Sequence, residues 1–159
     1  MATRSNIAYM TEEGKIKSVY CHWDGYPEHN GEMLRRYYTD QAKIRALIAL
    51  GNLSSLRPEI GEKHSFDKNY DQPELSQMFD NWTLAYNRDR GEDWAHTAPS
   101  TWENAVDYVE FMEEYAYLWN GEDWLVHKAG NTDANGYPIF DFVEVAQSKE
   151  VMANMGWDD

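Results

Sequence analysis

Residues 20–31, which read YCHWDGYPEHNG, bring together side chains that carry chemistry in many enzymes and binding proteins. They include two histidines, two carboxylates, three aromatic rings and the single cysteine of the chain. We expect a strand to end near Trp23, a turn to form over residues 24–27 and a helix to start at Asn30. Because loops between regular elements usually display binding and catalytic groups, this stretch predicts a functional site.

A metal site is one interpretation of this stretch. His22 and Asp24 share one face of the predicted strand, and Glu28 and His29 follow across a short turn. Imidazoles and carboxylates bind zinc, manganese or iron, so a metal-dependent hydrolase could use His22, Asp24 and His29 as ligands and Glu28 as base. The spacing matches no specific metal signature, and histidines in turns often bond only the backbone. The interpretation that we favour, the anion pocket described below, needs no cofactor.

Nucleophilic catalysis is a second interpretation, because Cys21 is followed directly by His22. Alternation along a strand points neighbouring side chains to opposite faces, which argues against a local dyad. A histidine from elsewhere in the chain could still approach the thiol. A free cysteine is usually a small buried hydrophobe, and we expect that role for Cys21.

Scarce positive charges beside aromatic rings predict an anion pocket. The helix expected at Asn30 would point its free N–H groups toward the preceding loop, and Arg88 and Arg90 would project to one side. Trp23 and Tyr26 would stack on a flat ring, which indicates a nucleotide-like ligand. The simpler alternative is that both arginines pair with surface carboxylates. The predicted ligand-binding residues are Arg4, His22, Trp23, Tyr26, Asn30, Arg88 and Arg90.

Four carboxylates recur at spacings of four, three and four along a helix predicted over residues 101–119: Glu103, Asp107, Glu110 and Glu114. Like charges four apart on a helix repel by a few tenths of a kcal/mol, so the row is slightly unfavourable for the helix. Such a row can imitate DNA phosphates toward a basic protein groove. A solvated helix face is the simpler alternative.

Local patterns predict the elements that position these residues. Two strands, over 4–10 and 15–23, form a hairpin with Gly14 in its turn. Asn30 and Asp40 are expected to cap helical segments, of which the second ends at Gly51. Whether residues 31–50 form one kinked helix or two stays open.

The second half of the chain is dominated by the predicted helix over 101–119, which a capping box of Ser100 and Glu103 would start. The other predicted elements are a short helix over 72–79, strands over 82–87, 123–128 and 138–145, a charged turn over 88–92, and a short helix or loose tail over 149–159. This order predicts an α+β fold. We expect one domain over residues 1–159, mainly an antiparallel sheet with an N-terminal β-hairpin and two principal helices packed on one face.

Composition limits the partners. The formal net charge is −14, with 14 Lys and Arg against 28 Asp and Glu, so nucleic acid and anionic membrane are not expected as direct partners. A basic protein partner, a cation, or an anionic small molecule held in a locally positive pocket remains. One cysteine excludes an internal disulfide, and the N-terminus lacks the apolar segment of a signal peptide. We therefore expect a reducing, intracellular setting, whereas the oligomeric state stays open.

The chain resembles a family of small proteins of bacteriophages, prophages and plasmids. The resemblance lies in TRSNIA near the start, YCHWDGY followed by EHNG, LIALG with LSSL, and NRDRGE at residues 87–92. It covers about the first 92 residues and is weaker beyond. It implies an accessory protein of a mobile element that acts in the cytoplasm of the bacterial host, and it implies no mechanism.

Three functions follow as hypotheses. The leading one is a phage-type accessory protein, for host takeover or counter-defence, that binds an anionic, nucleotide-like small ligand without turning it over. The first alternative is an acidic, DNA-mimic-like inhibitor of a basic host protein. The second is the metal-dependent hydrolase built on His22, Asp24 and His29.

Overall fold

The computed structural model describes residues 2–64 and 78–143 of the chain. The strands there are β1 (Ser5–Met10), β2 (Ile16–Cys21), β3 (Leu53–Ser55), β4 (Leu84–Ala85), β5 (Ser100–Trp102), β6 (Tyr115–Trp119), β7 (Trp124–Lys128) and β8 (Asp141–Phe142). The helices are α1 (Glu32–Tyr37), α2 (Gln41–Ala49), α3 (Tyr86–Arg90), α4 (Trp94–Thr97) and α5 (Ala105–Glu110), and a π-helical turn over Pro27–Gly31 leads directly into α1.

All eight strands belong to one sheet. Seven follow the order β4-β3-β2-β1-β6-β7-β8, and β5 pairs with β2 off this path. The pairs β1–β6 and β2–β3 are parallel, and the other pairs are antiparallel. The predicted α+β class is confirmed, with its mainly antiparallel sheet and its N-terminal hairpin β1–β2. In the hairpin turn Gly14 has φ +82°, as expected for the glycine position.

The outer edge of β2 changes partner along its length. Its first half, from Ile16 to Ser18, pairs with β5, whereas Cys21 pairs with Leu53 of β3. Between the two partners, the Tyr20 N–H donates to the Asn52 side-chain oxygen at 3.0 Å. A side chain thus satisfies the one backbone donor that lies at the change of partner.

Each face of the sheet carries its own apolar core. On one face, side chains of β1, β2, β3 and β6 pack with those of α1 and α2, including Leu34, Ile44, Leu47 and Ile48. On the other face, Ala8, Ile16, Ala116 and Leu118 pack with Tyr108 of α5. The second core covers the Ile16 end of β2 and leaves the Cys21 end to polar side chains. Alternation along β2 therefore places Ser18, Tyr20 and His22 on this second face.

Residues 31–50, whose sequence fits one kinked helix or two helices, form two helices, α1 and α2. The Asp40 carboxylate accepts a hydrogen bond from the Ala42 N–H at 3.0 Å and caps α2, and Gly51 follows the helix with φ +82°. The expected cap at Asn30 is wrong, because the helical path already begins at Pro27. Proline suits a first helical turn, since its missing N–H has no intrahelical partner there.

The predicted helix over residues 101–119 is wrong. The segment forms β5, the short helix α5 and β6, and the cap of α5 is Asn104, whose side chain accepts from the Asp107 N–H at 2.9 Å. The capping box of Ser100 and Glu103 is therefore not formed. Residues 115–119 read Tyr-Ala-Tyr-Leu-Trp, and four of the five are buried because β6 is a central strand with a core on each face. A strand covered on both sides carries a continuous apolar run, which also fits helical spacing.

Other boundaries differ less. The strand predicted over 82–87 shrinks to β4, and the charged turn over 88–92 is replaced by helix α3, which ends at Gly91 with φ +73°. The strand over 123–128 is confirmed as β7, and β8 lies inside the one predicted over 138–145. The tail over 149–159 and most of the helix over 72–79 lie outside the described residues. Within the described ranges, no helix has the length and apolar character needed to cross a membrane.

Candidate functional site

The loop after β2 is folded back onto the start of β1. The Gly25 N–H donates to the Thr3 carbonyl at 2.8 Å, and the Tyr117 hydroxyl donates to the Gly25 carbonyl at 2.6 Å. A Cβ on Gly25 would lie 2.7 Å from the Ser5 Cβ, so only glycine fits this contact. Asp24, which precedes it, has a φ of 56°, a conformation that asparagine and aspartate adopt more readily than most residues.

Asn30 holds this loop together from inside and is not exposed to a ligand. Its side chain is fully buried. Its amide nitrogen donates to the Trp23 carbonyl at 3.1 Å and lies 3.5 Å from both the Ser5 hydroxyl and the Cys21 sulfur. Its amide oxygen lies 3.0 Å from His29 Nδ1. The expectation that Asn30 contributes to an open anion pocket is therefore not supported by its surroundings.

Cys21 lies in the same buried region. Burial raises the pKa of its thiol to about 12, against a hydrogen bond from Asn30 that acts in the opposite direction. At neutral pH the thiol is protonated, and no histidine is within hydrogen-bond distance of it among the contacts of the described residues. The prediction that Cys21 is a buried hydrophobe is confirmed by its zero exposure.

Tyr20 and His22 form a hydrogen-bonded pair on the second face of the sheet. The Tyr20 hydroxyl lies 2.6 Å from His22 Nδ1, and the His22 ring meets Trp23 edge to face at 4.8 Å. Burial raises the pKa of the Tyr20 phenol, and the positive charge of Arg4 acts in the opposite direction. Arg4 directly precedes Ser5, whose hydroxyl faces Asn30, so alternation places Arg4 on the side of Tyr20.

Tyr86 extends this polar region across β3. Its backbone N–H donates to the Asn52 carbonyl at 3.2 Å, and the Asn52 side chain accepts from Tyr20, so one residue fixes both tyrosines. Burial raises the pKa of the Tyr86 phenol, whereas a hydrogen bond with Ser54 and the charge of Arg90 lower it. The Arg90 guanidinium lies 4.8 Å from the centre of the Tyr86 ring.

We call this group the tyrosine surface. It consists of two phenols, one imidazole, one hydroxyl and two guanidinium groups on one face of the sheet: Arg4, Tyr20, His22, Ser54, Tyr86 and Arg90. Glu113 lies near enough to raise the pKa of Tyr20 further, so one carboxylate also borders it. Of the seven predicted ligand residues, the structure brings Arg4, His22 and Arg90 to this surface, with Trp23 beside it.

Arg88 belongs to a different, internal network. Its guanidinium bonds both carboxylate oxygens of Asp89, at 2.9 and 3.1 Å, and donates to the carbonyls of Gly61 and Thr83 at 3.2 and 2.8 Å. Asp89 in turn accepts from the backbone N–H groups of His64 and Ala85. These bonds anchor α3 to the chain around Gly61. The prediction that Arg88 and Arg90 project to one side and act together does not fit these contacts.

The remaining loop residues make separate contacts. The Tyr26 hydroxyl donates to Asp24 at 3.5 Å, and the Tyr26 ring meets His29 at 6.2 Å. His22, Asp24 and His29 thus each bond a different partner. Across residues 2–64 and 78–143, no group of three or more His, Cys, Asp or Glu side chains is placed to hold a metal ion. The hydrolase hypothesis therefore lacks its proposed ligand set in the described part of the chain.

The acidic row does not lie on one helix. Helix α5 carries Asp107 and Glu110 alone, whereas Glu103 precedes it and Glu114 follows it. Glu103 is exposed and lies 3.5 Å from Lys15 in an ion pair. The DNA-mimic alternative depended on even spacing along a continuous helix, and that spacing is lost.

A shallow cleft of about 280 Å³ lies at the hairpin turn, and its lining is Tyr9, Thr11, Glu12, Glu13 and Arg45. Arg45 there contacts Glu12 at 3.4 Å and lies over the Tyr9 ring. Two carboxylates and one paired arginine make this cleft a poor anion site, and it lies at the opposite end of β1 from Arg4.

Sequence reasoning missed Tyr20, Ser54 and Tyr86. Alternation on the second strand was a signal for Tyr20, because it placed Tyr20 and His22 on one face. Ser54 and Tyr86 reach the surface only through the pairing of β3 with β2 and β4.

No protein-family model, curated protein or solved structure matches the chain.

Proposed function

We propose that this protein binds an anionic, nucleotide-like small ligand on the tyrosine surface without turning it over. The observation that carries the proposal is the hydrogen-bonded pair Tyr20–His22, with Arg4 acting on Tyr20 and Arg90 lying over Tyr86. In line with the resemblance, we place this activity in a mobile-element accessory protein, for host takeover or counter-defence, in the cytoplasm of a bacterial host.

Charge supports an anion at this place. The chain carries an excess of 14 negative charges. Two guanidinium groups nevertheless act on this surface, Arg4 on the Tyr20 phenol and Arg90 on the Tyr86 ring. Guanidinium groups bind phosphate through charge-assisted hydrogen bonds, which are about twice as strong as neutral ones. Arg90 also bonds Glu92, at 2.7 Å from its Nε, so a ligand phosphate would compete with the Glu92 carboxylate.

The two phenols suit binding better than nucleophilic attack. Because burial raises the pKa of both Tyr20 and Tyr86, each stays protonated at neutral pH. A protonated phenol is a hydrogen-bond donor, which a phosphate oxygen can accept. The thiol of Cys21, the strongest nucleophile by type in the chain, is buried on the other face.

Trp23 supports a flat ring in the ligand. Its side chain is 46% exposed, and the edge-to-face contact with His22 fixes the orientation of the indole. Stacking of one base on such a ring contributes about 1–3 kcal/mol in proteins that bind single-stranded nucleic acid. A ligand with phosphate at the arginines and a base stacked on Trp23 would be a nucleotide.

Isothermal titration against a panel of mono-, di- and cyclic nucleotides tests the proposal. We expect binding by the unaltered protein, and we expect Arg90→Ala or Arg4→Ala to weaken it on the order of tenfold, since a hydrogen bond to a charged group contributes about 1.5–3 kcal/mol. Arg45→Ala is the matched control, because Arg45 is also exposed, also pairs with a glutamate and also lies over a tyrosine ring.

The same samples test turnover. Chromatography of the nucleotide after prolonged incubation should return it unchanged. The proposal fails if no nucleotide in the panel binds, or if Arg90→Ala and Arg45→Ala have the same effect. Recovery of a hydrolysed product, in amounts that depend on Tyr20 or His22, would replace a binding protein with an enzyme.

A further inference from the structure

Phe111 is an exposed aromatic side chain with a rigid support. It follows α5 directly, 66% of it is exposed, and its ring is stacked on Trp102 with the centroids 5.4 Å apart and the planes 15° from parallel. Trp102 is itself fixed, because its indole N–H donates to the Ser18 hydroxyl at 2.8 Å and its backbone pairs with Ile16. One face of the Phe111 ring thus rests on a fixed platform.

The outward side of α5 carries a second exposed apolar side chain. Tyr108 points inward and is 1% exposed, whereas Val106 is 45% exposed. Val106 and Glu110 are four residues apart and therefore lie on the same outward side of the helix. Adjacent exposed apolar side chains, such as the stacked rings of Phe111 and Trp102, mark binding surfaces more often than single exposed ones do.

The chain segment that carries Val106 and Phe111 is acidic throughout, and the one cation paired with it in the described residues is Lys15, 3.5 Å from Glu103. Residues 103–114 contain five carboxylates and no Lys or Arg: Glu103, Asp107, Glu110, Glu113 and Glu114. Glu103, Glu110 and Glu114 are exposed, and Asp107 is partly exposed. We call Trp102, Val106 and Phe111, together with Glu103, Asp107, Glu110 and Glu114, the Phe111 surface.

We infer that the Phe111 surface docks a basic amphipathic segment of a partner protein. An apolar side chain of that segment would pack on Phe111 and Val106, and its Lys or Arg residues would face the surrounding carboxylates. Charge complementarity selects this partner over two others. A second copy of this chain would bring acidic rim against acidic rim, and nucleic acid would bring phosphates against carboxylates.

This docking surface differs from the DNA-mimic hypothesis in what carries the affinity. A mimic of phosphates acts through charge alone, whereas here an aromatic anchor on a fixed platform provides the centre and the carboxylates provide the rim. Interfaces commonly have this arrangement, with most of the binding energy in a few central aromatic or arginine side chains. Loss of Phe111 should therefore matter more than loss of any one carboxylate.

A synthetic peptide can stand for the partner. The probe is a fluorescein-labelled amphipathic helix of Leu and Lys, about 14 residues or roughly four turns long, and a scrambled peptide of the same composition is its control. Fluorescence anisotropy with the full chain should show that the amphipathic peptide binds at least about tenfold more tightly than the scrambled one. Raising the salt from about 0.05 M to about 0.5 M should weaken binding severalfold, because exposed charges are screened.

Variants locate the binding. Phe111→Ala should weaken it about tenfold, whereas Phe142→Ala, which removes a phenylalanine that is 62% exposed on β8, should leave it unchanged. The double charge reversal Asp107→Lys with Glu110→Lys should abolish binding. Its matched control reverses Glu12 and Glu13, two exposed carboxylates in the hairpin turn.

The inference is overturned if Phe111→Ala and Phe142→Ala have equal effects, or if the scrambled peptide binds as tightly as the amphipathic one. Sedimentation equilibrium of the protein alone gives a further outcome. A dimer that Phe111→Ala dissociates would assign the surface to a second copy and overturn the basic partner. Nucleotide titrations of the Phe111→Ala variant should match those of the unaltered protein, because the docking surface and the tyrosine surface use different side chains.

Discussion

Replacement of Asn30 distinguishes a buried structural residue from a ligand residue. In Asn30→Ala the Trp23 carbonyl loses its 3.1 Å donor and His29 Nδ1 loses its 3.0 Å contact with the amide oxygen. The two contacts at 3.5 Å, to Ser5 and Cys21, are lost as well. The partly buried Trp23 carbonyl then keeps only the weak thiol donor of Cys21 at 3.8 Å. A nearly unsatisfied acceptor of this kind costs about 1–3 kcal/mol, and the small cavity left by the amide adds about 1 kcal/mol. We therefore expect the free energy of unfolding to fall by about 2–4 kcal/mol. The contacts at 3.5 Å are too long to contribute much of this.

Asn30→Asp sharpens the test, because it keeps the shape of the side chain and changes only its charge and its donors. At neutral pH a carboxylate oxygen would face the Trp23 carbonyl in a fully buried site, which costs more than the alanine replacement. Burial raises the pKa of the introduced carboxyl above its value in the unfolded chain. Its destabilising effect should therefore shrink as the pH falls toward 4, where the protonated acid can donate to the Trp23 carbonyl.

Urea unfolding followed by tryptophan fluorescence measures both effects, with Asn135→Ala as a control in an exposed turn. The control should stay within about 0.5 kcal/mol of the unaltered protein. The reasoning is refuted if Asn30→Ala also stays within that range, or if Asn30→Asp shows the same deficit at pH 4 and pH 7. A folded Asn30→Ala protein that no longer binds any nucleotide would return Asn30 to the ligand site.

Three further predictions concern the buried groups and the glycines. Burial raises the pKa of the Cys21 thiol to about 12. Ellman's reagent at pH 8 should therefore react with this thiol roughly a thousandfold more slowly in the folded protein than in urea. Equal rates would contradict the burial of Cys21. Burial also raises the pKa of Tyr108 and Tyr117 well above 10, so their contribution to stability is complete below pH 10 and is lost as the pH rises above it, by about 1.4 kcal/mol per group and pH unit. Urea midpoints at pH 9 and pH 11 measure this loss, and Tyr117→Phe should make it less steep. Gly51→Ala should lower the free energy of unfolding by at least about 2 kcal/mol, because φ is +82° and the new Cβ would lie 2.3 Å from a backbone carbonyl oxygen. Gly91→Ala, with φ +73° and open space around the new Cβ, should lower it by only about 1 kcal/mol. Equal thermal shifts of the two variants would contradict the steric argument.

The parts of the fold that were predictable from sequence are those with local signals. The hairpin turn has Gly14 at the position that needs positive φ, and α2 has an aspartate cap at one end and Gly51 at the other. These signals act within a few residues and hold in any tertiary context. The α+β class followed from the order of such elements.

The segment 101–119 was not predictable, because its structure depends on a distant partner. The apolar side chains of β6 fit a helical stripe and a doubly buried strand equally well, and only the parallel pairing with β1 decides between them. A central strand carries no alternation of polar and apolar residues. The true helix cap, Asn104, lies four residues beyond the Ser100 that the capping-box pattern favoured.

The candidate site was predictable in part for the same reason. Alternation along β2 placed His22 and Tyr20 on one face, whereas Tyr86 reaches Tyr20 only through Asn52 and the strand pairing around it. Arg88 and Arg90 are two residues apart and carry the same charge, yet one is held in an internal network by Asp89 and the other is exposed. Their different roles follow from how α3 packs, which no spacing in the sequence reveals.

The parallel pairing of β1 with β6 has a consequence for how the chain is made. β1 is a central strand, but one of its two partners is synthesised far later: the Asn6 side chain, at the start of β1, accepts from the backbone of Glu113, 107 residues away. Contacts of such high sequence separation slow folding, because the long intervening loop must close first. During translation one edge of β1 therefore stays unpaired after the hairpin has been synthesised. Such an edge readily pairs with a strand of another chain. A nascent chain released before Trp119 has emerged from the ribosome should aggregate rather than fold.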